Sequence, residues 1–453
     1  MGMQVDDGME GKSNIAQPGS QRLIFPGIIA GLGTMFEWYD FFIAGLIAAT
    51  VWPEIFFPKS VPLMALLLSM LAYASSTFAR PVAAAVFGHY GDRIGRKQVL
   101  IYTMLFMAVA SFGTAAVPSY AAIGILAPVL IFALRILMGF GVGGEWQGAV
   151  TYLAELAAGR GASRGFWSSF PSAMSGVGMG LGGLSLLILG LVMPHQEYIA
   201  WGWRVPFIVG GFLVVFGVIA RYRLLETHLF TKVKEAGQVL RYPAFSVWRY
   251  QWRNIILFAF AMWPFTILPT YVSDIFGAPL IAALHIAPFP YNYAATFVAR
   301  GIFSVIGALL GGVLAVKYGG KIVMLAGIAA GLVLTPIYFA LLPHMATISG
   351  GFAYTVALAS VTELAQYLGY GAMAVFAAEI FETKWRYSGV GYGMQLGALI
   401  YGLTASVLTA SLIGMAHGLA HVGPLFSEAT VIVSVIGLIA TALLRKAGKS
   451  EIE

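Results

Sequence analysis

Gly88-His-Tyr-Gly-Asp-Arg-Ile-Gly-Arg-Lys97 and Gly312-Val-Leu-Ala-Val-Lys-Tyr-Gly-Gly-Lys321 are two copies of one polar, glycine-rich segment. They align without gaps at a separation of about half the chain length, and each follows a long apolar stretch. The same separation carries Ala154-Glu155 onto Ala378-Glu379. A repeat of this period predicts two halves built alike, an arrangement common in transporters.

The composition of the chain is typical of a protein that is embedded in a membrane. Of the 453 residues 59% are hydrophobic and 10% are charged, whereas about 25% of a soluble domain is charged. A water-soluble domain, a disordered chain and a nucleic-acid binder are therefore excluded. The chain contains no cysteine, which excludes disulfides, thiolate metal sites and cysteine nucleophiles.

Apolar segments long enough to cross a bilayer recur along the chain. A hydrocarbon core of about 30 Å needs about 20 apolar residues per helix. Twelve segments qualify, at 25–50, 63–87, 99–117, 121–156, 165–193, 205–222, 253–275, 292–316, 321–342, 350–380, 388–411 and 425–444. These twelve spans predict an all-α membrane protein with two pseudo-symmetric six-helix bundles, at 23–222 and 253–445, joined by a basic cytoplasmic linker at 223–252.

Basic residues predict how the spans are oriented. Most of the 26 Lys and Arg fall in the loops of one side, whereas Lys59 and Arg204 alone fall in those of the other. Because basic loops stay in the cytoplasm, both termini are expected there, in a cell membrane. Residues 1–22 have no apolar core and predict a disordered tail rather than a signal peptide, and 446–453 predict a second short tail.

The first glycine-rich copy matches a known loop at its defining spacing. The pattern Gly88-x-x-x-Asp92-Arg93-x-Gly95-Arg96 resembles the signature loop of the major facilitator superfamily. The resemblance implies a cytoplasmic gate that is latched by charge pairs to the inner end of span four. The latch candidates here are Glu155 and Arg164. In the second copy Val316 replaces the Asp and Gly320 an Arg, which predicts a weaker or differently built latch.

Two opposite charges are predicted to meet inside the first half. Asp40 lies about 15 residues into span one from the cytoplasm, and Arg135 about 14 residues into span four from outside, each about 20 Å deep. A charge at that depth is costly unless it is paired or wetted, and it marks a functional site by default. We expect Asp40 and Arg135 to form part of a proton or substrate pathway, with a purely structural ion pair as the alternative.

Glu37 shares a helix face with Asp40, since the two are three residues apart. Two neighbouring carboxylates in a low-dielectric site cannot both stay ionised cheaply, so one of them is expected to carry a proton. The alternative is that Glu37 pairs with an arginine of its own. Arg80, near the inner end of span two, is expected to support the gate.

Further motifs narrow the resemblance to the metabolite–proton symporters, which carry organic acids and zwitterionic osmolytes. The matching segments are Glu37-Trp-Tyr-Asp-Phe41, Ala79-Arg-Pro81, Gly143-Gly-Glu-Trp146, Trp201-Gly-Trp-Arg-Val-Pro-Phe207 and Leu225-Glu-Thr227. They cover about residues 30–230, and the second half matches only in span pattern and at 378–381. The resemblance implies alternating access and proton symport, with Asp40 and Arg135 in the coupling site.

Other polar residues on the spans are candidates for the substrate site. Arg300 in span eight is expected to anchor a substrate carboxylate, because its planar fork binds carboxylates bidentately, or else to pair with Asp274. Glu363, mid-depth in span ten, is expected to pair with Arg300 or to carry a second proton. The remaining candidates for the cavity wall, besides Arg135, are Tyr39, Gln147, Tyr367 and Gln395.

The sequence as a whole predicts a proton-coupled symporter of a small organic acid that works as a monomer, with protons, substrate and lipid as its partners. An osmolyte symporter of the betaine or proline type and a non-transporting receptor are the alternatives. No clustered nucleophile or metal-ligand spacing is present in the sequence, so neither an enzyme nor a cofactor or metal site is expected.

Overall fold

The computed structural model describes residues 21–58, 62–94, 96–158, 163–222, 243–267, 277–287, 291–382, 386–415 and 421–446. These residues form helices and connecting turns, with no strand among them. Twelve long helices of the described residues, α1 to α12, correspond to the twelve predicted spans. The tails at 1–20 and 447–453 and the stretch 223–242 lie outside the described residues.

The first half contains six of these helices. Their bounds are Gln21–Thr50 for α1, Pro62–Ile94 for α2, Arg96–Ala116 for α3, Leu126–Val142 and Glu145–Ala158 for the two parts of α4, Arg164–Val192 for α5 and Val205–Arg221 for α6. Short helices at Trp52–Ile55, Tyr120–Ile123 and His195–Ala200 and a 3-10 turn at Gly202–Arg204 cover the outer side.

The second half repeats the arrangement. Its helices are Pro243–Ile267 for α7, Tyr291–Tyr318 for α8, Gly320–Met345 for α9, Gly351–Ile380 for α10, Arg386–Met415 for α11 and Gly423–Leu443 for α12. A short helix at Gly277–Ala283 follows α7. The end of each long helix that the basic residues predict to face the cytoplasm is called the inner end below.

The boundary between linker and second half differs from the sequence prediction. Span seven was predicted to begin at 253, but α7 already begins at Pro243. At Gln251 the backbone leaves the helical region (φ −127°, ψ 15°), so a kink separates a short amphipathic helix from the apolar span. The polar residues 243–252 are thus helical and form the first part of α7.

Eight of the long helices in the described part of the chain are apolar enough to cross a membrane by length and composition alone. Helices α2 and α11 pack against each other across the two halves, as do α5 and α8.

The two halves touch most closely where α5 meets α8. A Cβ added to Gly301 of α8 would lie 2.7 Å from the Gly176 carbonyl oxygen and 2.8 Å from the Gly180 Cα of α5. Glycine is therefore required for this approach, and the small residues let two backbones pack directly in lipid. The glycine-rich segment 176–183 of α5 thus brings the halves together.

Candidate functional site

The structure brings Asp40 of α1 and Arg135 of α4 together. Arg135 Nη1 donates to Asp40 Oδ2 at 2.7 Å, and Nη2 donates to Thr114 Oγ1 of α3 at 2.8 Å. The guanidinium carbon lies near the stacked rings of Trp52 and Phe207, 5.8 and 5.6 Å from their centroids. The pair therefore lies inside the first half, and both side chains are buried.

One atom of each partner in this pair remains unused. Asp40 Oδ1 and Arg135 Nε are buried and have no hydrogen-bond partner among the described residues. Buried polar atoms are normally paired, so the Asp40–Arg135 pair leaves part of its hydrogen-bonding capacity unused.

Glu37 and Asp40 pair with different arginines. Glu37 Oε1 lies 3.6 Å from Arg80 Nη1 of α2, and both side chains are buried. Glu37 therefore has an arginine of its own beside it, and the prediction that one of the two carboxylates carries a proton stays a prediction. Arg80 lies near the middle of α2 and faces Glu37, which is not the inner-end position expected for support of the gate.

Aromatic and amide side chains of both halves meet beside Glu37 and Arg80. Trp38 and Trp146 of the first half lie 6.3 and 6.0 Å, between ring centroids, from Tyr370 of α10. Gln395 Nε2 of α11 donates to Gln147 Oε1 of α4 at 3.2 Å. These contacts cross between the halves, which is where repeat-built transporters place their substrate.

Tyr367 also takes part in this contact, whereas Tyr39 does not. Ser175 Oγ of α5 donates to the Tyr367 hydroxyl of α10 at 3.4 Å, again across the two halves. The Tyr39 hydroxyl donates to the Pro206 carbonyl at 3.0 Å, and its ring packs on Gly210 of α6. Tyr39 is therefore directed into the first half and away from the contact between the halves.

In the second half, Arg300 and Glu363 form a buried ion pair. Arg300 of α8 donates two hydrogen bonds to Glu363 Oε2 of α10, one from Nε at 3.2 Å and one from Nη2. The hydroxyl of Ser304 donates to the other oxygen of the same carboxylate, Oε1, at 3.3 Å. A very small polar cavity adjoins the pair, lined also by Thr335, Tyr338 and Gln366. Asp274, the other predicted partner of Arg300, lies outside the described residues.

A fourth ion pair was missed by the sequence reasoning. Glu145, the first residue of the second part of α4, accepts from Arg221 of α6 through both carboxylate oxygens, and neither side chain has any solvent exposure. Arg221 also donates to the carbonyl oxygens of Leu100 and Ala30. The sequence signal was present, since Glu145 lies in the Gly-Gly-Glu-Trp motif, but Arg221 was counted only as an orientation charge.

The inner ends of α2 and α11 close against each other through Tyr387. Its hydroxyl donates to the Gly144 carbonyl at 2.7 Å, at the break between the two parts of α4. A Cβ on Gly91 would lie 3.0 Å from the ring, and a Cβ on Gly88 would lie 3.1 Å from Ser388 Oγ. A residue of the second half is therefore buried in a pocket of glycines of the first half.

The predicted charge latch of this gate stays a prediction. Glu155 is buried and Arg93 is exposed. Gly95 and the side chains of Asp92, Arg96 and Arg164 lie outside the described residues. In the second repeat copy, Val316 occupies the position that Asp92 has in the first copy. Val316 packs against Gly165, where an added Cβ would overlap it, so this contact is apolar.

A search of the described residues finds no group of three or more His, Asp or Glu side chains that could hold a metal ion. The polar groups that converge at the site are instead arginines, carboxylates, amides and ring donors. Such groups bind and release protons and small polar solutes.

Comparison with known proteins identifies the family. A family model described as sugar (and other) transporter matches residues 27–241. The inner membrane metabolite transport protein YhjE of Escherichia coli K12 is 30% identical over 90% of this chain and 92% of its own length. The shikimate transporter of the same organism is 29% identical over 91% of this chain and 92% of its own.

Solved structures share the fold. The proton:xylose symporter XylE, bound to 6-bromo-6-deoxy-D-glucose, matches with a TM-score of 0.69 and 18% identity over 94% of this chain and 97% of that one. A double tryptophan mutant of XylE matches with a TM-score of 0.73 and 17% identity, over 95% of this chain and 98% of that one. The chain therefore belongs to the major facilitator superfamily, as a multi-pass membrane transporter of the metabolite–proton symporter family.

Proposed function

We propose that this transporter is a proton-coupled symporter of a small organic acid and works by alternating access as a single chain. The observation that supports the proposal most directly is the buried pair Asp40–Arg135, joined at 2.7 Å with one unused atom on each partner. A proton that binds Asp40 removes the negative charge that holds Arg135. The loss of that ion pair changes the packing of α1 against α4, and thereby couples protonation to movement of the halves.

The proton-coupling step has a simple energetic basis. A buried arginine that loses its carboxylate partner is unstable by several kcal/mol, so the protonated, substrate-free carrier is disfavoured. An organic anion that enters between the halves restores the charge balance. Proton and anion therefore bind together and move together, which is the requirement for symport.

The osmolyte alternative has one observation in its favour. A glycine betaine/proline/ectoine/pipecolic acid transporter, OusA of Dickeya dadantii, is 27% identical over 83% of this chain and 75% of its own length. The aromatic rings of Trp38, Trp146 and Tyr370 at the contact between the halves could also face a quaternary ammonium group, which aromatic rings attract. A substrate screen must therefore include both classes.

The test begins with purified protein and a thermal-shift screen against organic acids and betaines at two pH values. The compound that stabilises the protein is then used in proteoliposomes. Wild type is expected to accumulate it when the lumen is alkaline and to exchange it in counterflow. Binding without counterflow would indicate a receptor.

Asp40→Asn tests the coupling residue. The variant cannot take up the proton, so we expect the loss of proton-driven accumulation while counterflow continues. Full accumulation by Asp40→Asn would show that the coupling assignment to Asp40 is wrong. Glu54→Gln, a change of the same kind at an exposed outer residue, serves as the control and should transport normally.

A further inference from the structure

Four buried arginines in the described part of the chain are paired with a carboxylate, and they differ in how completely their donors are used. Arg221 bonds both oxygens of Glu145 and two backbone carbonyls. Arg135 bonds Asp40 and Thr114, and Arg300 donates twice to Glu363. Each of these three donates at least one direct hydrogen bond to its carboxylate.

Arg80 is held much less firmly than the other three. Its Nη1 lies 3.6 Å from Glu37 Oε1, which exceeds hydrogen-bond distance. Arg80 Nε and Glu37 Oε2 are both buried and without a hydrogen-bond partner in the described part of the chain. Coulomb attraction holds this pair without the directional bonds that fix the others. Arg80 is therefore the buried cation that most readily changes partner.

The loose pair is also the one that faces the contact between the halves. Arg80 lies over the Phe41 ring, with its guanidinium carbon 5.8 Å from the centroid. Phe41 in turn contacts Tyr401 of α11, at 6.5 Å between centroids. Tyr370 and Tyr401 of the second half both lie within electrostatic range of Glu37 and Arg80. Separation of the halves would expose Arg80 from this side.

Three hydrogen-bond donors beside the pair have no acceptor. Trp38 Nε1, Trp146 Nε1 and the Tyr370 hydroxyl are buried and unpaired within the described residues, and their rings are in contact. An indole nitrogen can only donate, and a buried donor without an acceptor costs about 1–3 kcal/mol. A site with several unpaired donors fits a ligand that is rich in acceptor oxygens.

We infer that Arg80 receives the carboxylate of the substrate, that protonated Glu37 releases Arg80 for this purpose, and that the substrate is a small monocarboxylate with hydroxyl or oxo oxygens. The carboxylate replaces Glu37 on the guanidinium, and the ring donors bind the remaining oxygens. The proton on Glu37 and the negative charge of the carboxylate enter together, so the net charge around Arg80 is unchanged; the Asp40–Arg135 pair is separate from this site. The inference rests on the proposed symport and assigns its substrate site.

The decisive measurement is the number of protons taken up when a carboxylate binds. Lactate, glycerate, gluconate and pyruvate are the probes, and trimethylglycine, succinate and methyl lactate represent the competing ligand classes. Titration calorimetry in two buffers of different ionisation enthalpy gives the protons bound per ligand. Wild type is expected to bind at least one monocarboxylate, more tightly at acidic pH and with proton uptake.

Three variants locate the exchange on the two residues. Glu37→Gln removes the proton site beside Arg80, so binding should persist with one proton fewer taken up per ligand and with a weaker pH dependence than in wild type. Glu37→Asp should keep the proton uptake and the pH dependence of wild type, because it retains a carboxylate. Arg80→Gln should weaken binding by about tenfold or more, as expected for the loss of a charge-assisted hydrogen bond. Glu54→Gln is the matched control and should keep the proton uptake of wild type.

A lone buried charge can impair folding, so a neutral variant completes the set. Glu37→Gln/Arg80→Gln removes both charges together and is expected to fold while losing monocarboxylate binding. If wild type binds trimethylglycine or succinate and none of the four monocarboxylate probes, the inferred substrate class is wrong. If Arg80→Gln binds the monocarboxylate as tightly as wild type, Arg80 does not receive the substrate carboxylate.

The outcome for the proposed function is read separately. If a monocarboxylate binds through Arg80 but is not accumulated in proteoliposomes with an alkaline lumen, the proposed symport is wrong and the binding site stands. If a compound is accumulated with protons but its binding ignores Arg80 and Glu37, symport stands and the assigned site is wrong.

Discussion

The two halves of this transporter repeat the same six-helix unit, but the first half carries most of the buried charge. Among the described residues, three of the four buried Arg–carboxylate pairs lie in the first half and one lies in the second. The second half contributes aromatic and amide side chains instead, with Tyr370 and Gln395 at the contact and Tyr387 at the inner end. The two halves thus share a fold but differ in their side chains: the first half contains more of the described buried ion pairs, and the second contributes aromatic and amide contacts between the halves.

Arg221→Gln is the change expected to damage the first half most. It would leave Glu145 charged, fully buried and unpaired, and a broken buried pair costs about 3–5 kcal/mol. We expect a large fall in melting temperature and little monodisperse protein in detergent. Glu145→Gln/Arg221→Gln should recover part of the loss, because no lone charge remains.

The control for Arg221→Gln is an exposed pair of the same kind. Lys446 Nζ lies 2.6 Å from Glu379 Oε2 at the surface, and exposed pairs contribute about 0–1 kcal/mol. Lys446→Gln should therefore melt close to wild type. If Arg221→Gln behaves like Lys446→Gln, the assignment of buried charge to a structural role in the first half fails.

The Arg300–Glu363 pair tests whether the second half holds its charges in the same way. A double-mutant cycle with Arg300→Gln and Glu363→Gln should give a coupling of about 0.5–3 kcal/mol in the free energy of unfolding. A coupling near zero would mean that the stability of the second half does not depend on this buried pair. Arg300 was also predicted to anchor a substrate carboxylate, and an unchanged KM in Arg300→Ala would remove it from that role.

Tyr387→Phe is expected to have the smallest effect, because it removes one hydroxyl hydrogen bond of about 1 kcal/mol. That bond joins the halves, so its loss should shift the ratio of closed to open inner ends about fivefold toward open. The chain has no native cysteine, so spin labels on Gln98→Cys and Tyr318→Cys report the distance between the halves directly.

Tyr392→Phe is the matched control for this last change. Tyr392 lies on the same helix, but its ring contacts Trp248 of the second half, at 5.4 Å between centroids. It should leave the distance distribution unchanged. An equal shift in both variants would mean that α11 is generally destabilised and that Tyr387 is not a specific contact of the gate.

The meeting of Asp40 and Arg135 could be predicted from the sequence, and Glu363 was named as one of two possible partners of Arg300, whereas the pairs Glu37–Arg80 and Glu145–Arg221 could not be assigned. Depth along a straight helix follows from 1.5 Å per residue, so counting from each end places both residues at the same level. Glu145 and Arg221 also meet in the structure, but Arg221 ends a span where a basic residue is expected on orientation grounds alone. The sequence offers no way to distinguish a buried arginine from a loop arginine at that position.

The role of Tyr387 shows the same limit at the contact between the halves. Its neighbours Gly91, Gly144 and Gly148 come from two helices of the other half, and no local pattern links them to residue 387. Tyr39, predicted to line the substrate site, is next to Trp38 in sequence but is directed toward α6. Adjacent residues on a helix differ by about 100° in direction, so one of them can face the contact while the other faces the bundle interior.

The sequence by itself determined the number of long helices, their division into two repeated halves and the depth of each intramembrane charge. These properties depend on apolar length and on the rise per residue, which are local. The tertiary structure decided which carboxylate each arginine holds, how firmly it is held and which side chains of the two halves meet. Those properties depend on the rotation of each helix about its axis and on packing between helices far apart in sequence, which a count of residues along the chain does not contain.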